Sequence, residues 1–357
     1  MLVRSEIDSN LSSGPFGSYE LLHEDHDTFL EGRAWAYHLE SPPKTALTSP
    51  QVLARISQRM NHDLTGYDLP WDRLSPMLGE TAERWTSPAP WLDGHPVWTI
   101  TDWADADARQ LLSLMREIFR FSAFDGEFQA GSVSSDDMAK VRRACSILQE
   151  AIPHISANTL PLVRLLLMPD TMVPSWHLMQ IPESIGIGQT FLRQASDLVI
   201  AESILHECLH EKYVQLRLVR GLLASCYTDD SSPGVLLPWT LTQPRKRIFK
   251  VNRTLSTLHV YAHLTAFHAA VLETPELVEH HPEASARIRL NYERGAYLSE
   301  ALSWREISNH LGSDGDHLHK WLESNALAPA RKLARDREIG LRPYPTERWS
   351  RRELVSA

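Results

Sequence analysis

The chain has 357 residues, 43% hydrophobic and 23% charged, enough to bury a large core in one or two domains. Its net charge of -9 excludes a broad phosphate-binding face, so nucleic acid is not expected as a partner. Three scattered cysteines (Cys145, Cys208, Cys226), a start without an apolar signal run and no bilayer-length apolar stretch point to a cytoplasmic protein with no membrane partner.

Taken in order, Ser9 to Ser18 is rich in Ser, Gly and Pro and reads as a mobile or docking tail. His23 to His38 has helix-like pieces, and Thr48 to Met60 reads as helix. Leu69 to Trp98 is dense in Pro and Trp and reads as an ordered loop covering a core. Asp102 to Phe121 places Leu111, Leu112, Met115, Ile118 and Phe119 on one side, the pattern of an amphipathic helix. Ser134-Ser135-Asp136-Asp137 caps a second helix, Met138 to Ala151, which Pro153 ends. From Leu160 the pattern changes. Leu162 to Met168, Trp176 to Ile181 and Ile185 to Leu192 read as strands, and the glycines of the last permit close backbone approach.

Leu198 to Ser225 is a long apolar helical stretch interrupted only by Gly221. Asn252 to Leu272 is a second strong helix, followed by a charged connection from Glu273 to Ala284. Ala286 to Leu302 is a third, and Trp304 to Leu322 continues helical with a break near Gly312. The expected architecture is α+β and mostly helical, with a small sheet packed beside a metal-binding helix core. Residues 1–155 are expected to recognise or cover, 156–330 to carry the metal site, and 331–357 to form a charged peripheral tail.

The chemistry centres on His206-Glu207-x-x-His210. On a helix, residues four apart stand one turn above each other on one face, so two imidazoles at this spacing can hold one ion. Glu207 stands next to the first ligand and can reach an open coordination position, as a general base would. The motif fixes only three residues, and two core histidines bonded to backbone carbonyls would match it equally. The apolar helix, the strands before it and the histidines after it favour a metal. A third ligand is expected, because two bind weakly. About twenty residues on, where one class of zinc peptidase supplies Glu, the chain has Asp229 and Asp230. Tyr213 and Leu216 exclude the extended three-histidine motif. His259 and His263, four apart on the helix 252–272, are the remaining candidates, one ligating and the other bonding behind it.

Three segments carry a resemblance: Leu205-His206-Glu207-x-x-His210, Pro238-Trp239 followed by basic residues, and Arg253-Thr254-Leu255-Ser256-Thr257-Leu258-His259 with Tyr261. Over residues 160 to 275 the chain resembles the HExxH-motif peptide-modification proteins encoded near ribosomally made peptides. That family's pattern has Arg after Pro-Trp and Pro after the second Arg, where this chain has Thr240 and Thr254. The resemblance implies an iron(II)- and 2-oxoglutarate-dependent dioxygenase. Such an enzyme hydroxylates an unactivated carbon of a peptide or amino-acid substrate, a precursor peptide among them, in natural-product biosynthesis. It implies iron held by His206, His210 and His259, with Glu207 orienting ligands or substrate.

Arg253 would hold the far carboxylate of 2-oxoglutarate through its planar fork, with Arg245, Arg247 and Arg294 as alternatives. A carboxylate third ligand, Glu293 or Asp230, would give the two-histidine, one-carboxylate set instead. The residues also leave open a zinc metallopeptidase with Glu207 as general base, and a non-catalytic protein in which the motif is structural. They leave the oligomeric state open.

Overall fold

The computed structural model describes residues 2–36, 86–92, 95–100, 103, 106–120, 128–179, 181, 183–241, 247–341, 344 and 355–356. In chain order the elements begin with α1 (Leu2–Leu11), α2 (Gly14–Gly17), α3 (Tyr19–Ala36), β1 (Thr86–Leu92), β2 (His95–Ile100), α4 (Ala106–Arg120), α5 (Ser135–Ala151) and α6 (Pro153–Ala157). Then come β3 (Leu165–Leu167), β4 (Ser175–His177), β5 (Ser184–Ile187), α7 (Gln189–Gln194) and α8 (Asp197–Val219). They continue with β6 (Gly234–Leu236), β7 (Ile248–Lys250), α9 (Val251–Glu273), α10 (Pro275–His280) and α11 (Ala284–Leu302). The last are α12 (Arg305–Ser308), α13 (Ser313–Leu322), α14 (Ala328–Asp336) and β8 (Val355–Ser356). The fold is α+β and mostly helical, with a small mixed sheet packed against helices. No helix among the described residues is long and apolar enough to cross a membrane.

The chain divides into two compact units, neither continuous in sequence. The first comprises Met1–Ser18, Glu150–Ile155 and Val219–Ala357; the second comprises Tyr19–Gln149 and Ser156–Leu218. One break falls between Ile155 and Ser156, where a boundary was expected, but residues 19–149 group with 156–218 in one unit. The N-terminal segment joins the first unit because its polar atoms are used there. Asp8 accepts the backbone N–H groups of His154 and Ile155 at 3.0 and 2.8 Å, capping α6. Arg4 donates to Ala151 O at 2.9 Å and to Thr274 Oγ1 at 2.9 Å. The segment from Ser9 to Ser18 is thus no loose tail: Leu11 and Phe16 are buried, and the Phe16 ring packs on His317 and Trp321.

In the first unit α9 is almost entirely buried and packs along α11, with α1, α13 and α14 also against it. Its apolar residues are spread round the helix, as neighbours on several sides require, with His259, His263 and His268 buried among them. A three-stranded antiparallel sheet, β7-β6-β8, leads into it. The expected break near Gly312 is real. A Cβ there would sit 2.0 Å from the Gly221 carbonyl oxygen, so only glycine admits the crossing chain. The segment from Arg331 begins inside α14, where Leu333 and Ala334 are buried and Arg331 donates to the Tyr292 hydroxyl at 2.6 Å. Leu333 and Ala334 are therefore packed, while residues 335–338 that follow are exposed.

In the second unit the sheet runs β1-β2-β3-β5-β4. β1 and β2 form an antiparallel hairpin, β2, β3 and β5 run parallel, and β4 returns antiparallel to β5. The hairpin falls in the stretch expected to be loop. Pro88 and Pro90 lie on β1, the edge of this sheet among the described residues, where a missing N–H is tolerated. Thr48 to Met60 lies outside the described residues. Ser134 and Asp137 cap α5 reciprocally: the Asp137 N–H donates to Ser134 Oγ at 3.1 Å, and the Ser134 N–H to the Asp137 carboxylate at 3.0 Å. α4 covers one face of the sheet, joining Leu111, Leu112, Met115 and Phe119 to Ile100, Trp103, Phe128 and Trp176 in one core.

Glu183 precedes β5 with φ 55° and pairs with Arg164 at 3.0 Å, its side chain only 13% exposed. Burial pushes its carboxyl up to about 7, with Arg164 opposing. A raised folded-state pKa contributes stability that is complete below the unfolded value and lost as pH rises through the folded value. Denaturant unfolding should therefore lose up to about 3 kcal/mol between pH ~4.5 and ~7 from this group. Glu183→Gln should flatten that part of the profile.

Candidate metal centre

α8 is a buried helix with one open stripe. Leu198, Ile200, Ala201, Ile204, Leu205, Cys208, Leu209 and Leu216 are buried, and so are the polar Glu207, Glu211, Lys212 and Gln215. Ser203, His206, His210, Val214 and Arg217 are only part-buried, and their spacing puts them on one face. The two motif histidines thus stand where a buried helix meets open space.

Their rings turn towards each other. The Nε2 atoms of His206 and His210 are 3.2 Å apart and the ring centroids 4.9 Å. Two imidazole nitrogens ~2.0–2.1 Å from one tetrahedral ion stand about 3.3 Å apart, so the pair fits a shared ion without rearrangement. The Glu207 carboxylate joins them: ligand atoms of His206, Glu207 and His210 all lie within 4.8 Å of one another. This is the metal-competent group among the described residues. Cys208 adds no ligand. It lies across the helix from His206, and burial keeps its thiol protonated by raising its pKa well above the ordinary range.

Strand β4 backs the group. The Ser175 hydroxyl donates to Glu207 Oε1 at 2.7 Å, and His177 Nε2 donates to Glu211 Oε2 at 2.8 Å. The match is metrical: two residues of strand advance about 6.6 Å and four of helix about 6 Å, so Ser175 and His177 meet Glu207 and Glu211 in step. Trp176, between them, points to the opposite face, into the core beneath α4. Gln215 donates to the second Glu211 oxygen at 2.9 Å. Burial would raise the Glu211 carboxyl, but His177 and Gln215 hold it below its usual value, so it stays an anion. The His177 ring lies 6.2 Å from that of His210, stacked at 26°. Buried His26 is pushed down by desolvation, with Glu211 opposing.

The sequence-based candidates divide as follows. His206, Glu207 and His210 come together in the second unit. His259 lies on α9 in the first unit, fully buried, its ring 4.5 Å from that of His263. His263 Nδ1 donates to the His259 carbonyl at 2.8 Å. On α8 the group that could hold an ion is His206, Glu207 and His210. Arg253, also in the first unit, is exposed, with its guanidinium 4.4 Å over the Phe249 ring. Asp230 is exposed and Glu293 part-buried, both in that unit, and Arg245 lies outside the described residues.

Sequence reasoning missed Ser175, His177 and Glu211. The one signal was the repeat of Glu after each motif histidine, Glu207 and Glu211, which sets two carboxylates on one face for a strand to read. No protein-family model matches the chain, and no curated protein matches it.

Proposed function

We propose that this protein is a metal-dependent enzyme acting on a peptide or amino-acid substrate, with one divalent ion held by His206 and His210 beside Glu207. The observation that carries the reading is the 3.2 Å approach of two Nε2 atoms on the open stripe of a buried helix, with a carboxylate in the same group. Two histidines and one carboxylate are the donor set of non-haem iron(II) oxygenases. With the resemblance of the motif segments, that set favours an iron(II)/2-oxoglutarate-dependent hydroxylase. The bound ion would supply oxidising chemistry with dioxygen and the oxoacid. The chain's own residues have narrower roles. His206 and His210 hold the ion, Ser175 fixes the Glu207 carboxylate, and the Glu211–His177 pair anchors β4 alongside.

A second reading has its own support. Among the described residues β4 is an antiparallel edge strand beside the motif helix, and an extended peptide can pair with such an edge. This suits a zinc peptidase in which Glu207 takes the proton from water.

One assay separates the readings. Protein purified without added metal is analysed for metal content, then supplied with iron(II), ascorbate, 2-oxoglutarate and candidate peptides. Succinate release by the wild type, absent in His206→Ala, is expected. Tightly held zinc, with peptide cleavage abolished by Glu207→Gln, would replace the hydroxylase with the hydrolase.

A further inference from the structure

The three-stranded sheet of the first unit leaves its β7 edge open among the described residues. The strand order is β7-β6-β8, so β7 has a partner on one side. The Leu237 N–H donates to Arg247 O at 3.0 Å, in the same register that sets Val235 opposite Phe249. In an antiparallel ladder every second residue bonds to the partner strand, and the residues between turn their backbone groups outward. Arg247 and Phe249 therefore face β6. The N–H and C=O of Ile248 and the N–H of Lys250 face away from it. The Lys250 carbonyl is already engaged, accepting from Thr254 Oγ1 at 3.0 Å.

The side chains around this edge are apolar and basic. Ile248 is 48% exposed. Arg247 is exposed beside it, and the Arg253 guanidinium lies over the Phe249 ring at 4.4 Å. Desolvation and the like charge of Arg247 both lower the Arg253 pKa, and no carboxylate among the described residues pairs with either arginine. Elsewhere arginines are matched: Arg143 with Asp197, Arg164 with Glu183 and Arg193 with Asp137. In sequence Arg245 and Lys246 stand directly before Arg247, in a chain whose net charge is -9.

Proteins guard open edges by placing charge or proline on them. Here the outward edge residue is isoleucine, and the charges flank it. Pairing of two such edges from two copies of the chain would oppose arginine to arginine, which is unfavourable. An incoming strand of opposite charge meets no such penalty.

We propose that the β7 edge is a docking strand for an extended acidic segment of another polypeptide. The segment pairs its backbone with Ile248, lays an aliphatic side chain against it, and sets carboxylates against Arg247 and Arg253. The inference does not rest on the metal reading, since every residue in it belongs to the first unit.

The test is fluorescence anisotropy on the full chain with a short labelled peptide of alternating valine and glutamate. Saturable binding that weakens with added salt is expected. The same peptide with lysine for glutamate, or N-methylated on alternate residues, should bind about tenfold or more weakly. Ile248→Pro should weaken binding to a similar degree, because it deletes an N–H that β6 does not use and that a strand edge can lose. The double variant Arg247→Glu, Arg253→Glu should lose the glutamate peptide and gain the lysine peptide. Should Ile248→Pro lower the unfolding temperature sharply, that charge-reversed variant decides. Absence of binding by the wild type, equal binding of the lysine or N-methylated peptide, equal binding by the folded variants, or tighter binding of a single-stranded oligonucleotide overturns the proposal.

Discussion

His206→Ala and His210→Ala should each lower divalent-metal affinity on the order of a thousandfold, because each removes half of a two-imidazole chelate. Competition titration with a chromogenic chelator and metal analysis after dialysis would measure this. Their unfolding temperatures should stay within a few degrees of wild type, since both histidines lie on the part-exposed stripe of α8 and leave no core void. Cys208→Ala is the control: it sits between them in sequence but on the buried side, and should leave metal affinity unchanged. Retention of metal by the double histidine variant would end the metal reading.

Gly186→Val should destabilise the fold by about 3 kcal/mol or more through overpacking at a site that cannot relax. A Cβ at Gly186 would fall 1.9 Å from the Trp176 ring, and that ring is locked edge-on against Phe119 and Phe128 at 5.8 and 5.1 Å. The strain reaches the candidate centre, because Trp176 is flanked on β4 by Ser175 and His177, which grip Glu207 and Glu211. Denaturant unfolding would give the first effect and metal titration the second. Trp176→Ala alone should cost about 3–5 kcal/mol. In the Trp176→Ala background a substituent at Gly186 should cost much less, a non-additivity expected only if ring and glycine share one space.

Much of this is written locally in the chain. The 3.6-residue recurrence of α4, the Ser134–Asp137 cap, the long apolar α8 and α9, and the short strands β3, β4 and β5 follow from patterns of neighbouring residues. So does the pairing of His206 with His210, because four residues of helix bring two rings together whatever surrounds them. The hairpin of β1 and β2 was hidden by its prolines, whose tolerance depends on β1 being an edge. The anchorage of the N-terminal segment was hidden because Asp8, Arg4 and Phe16 find partners more than a hundred residues away.

From sequence alone, then, came the helix carrying the two histidines and the face they share. Tertiary structure alone decided what stands behind them: Ser175 on Glu207, His177 on Glu211, and the part-exposure that leaves the imidazoles facing outward. It likewise decided that Trp239 and Tyr261 meet Arg294. Helix periodicity acts over a few residues and is readable from side-chain order. Contacts between strand and helix, or between rings on separate segments, depend on which surfaces the whole chain buries together, and no local pattern encodes that choice.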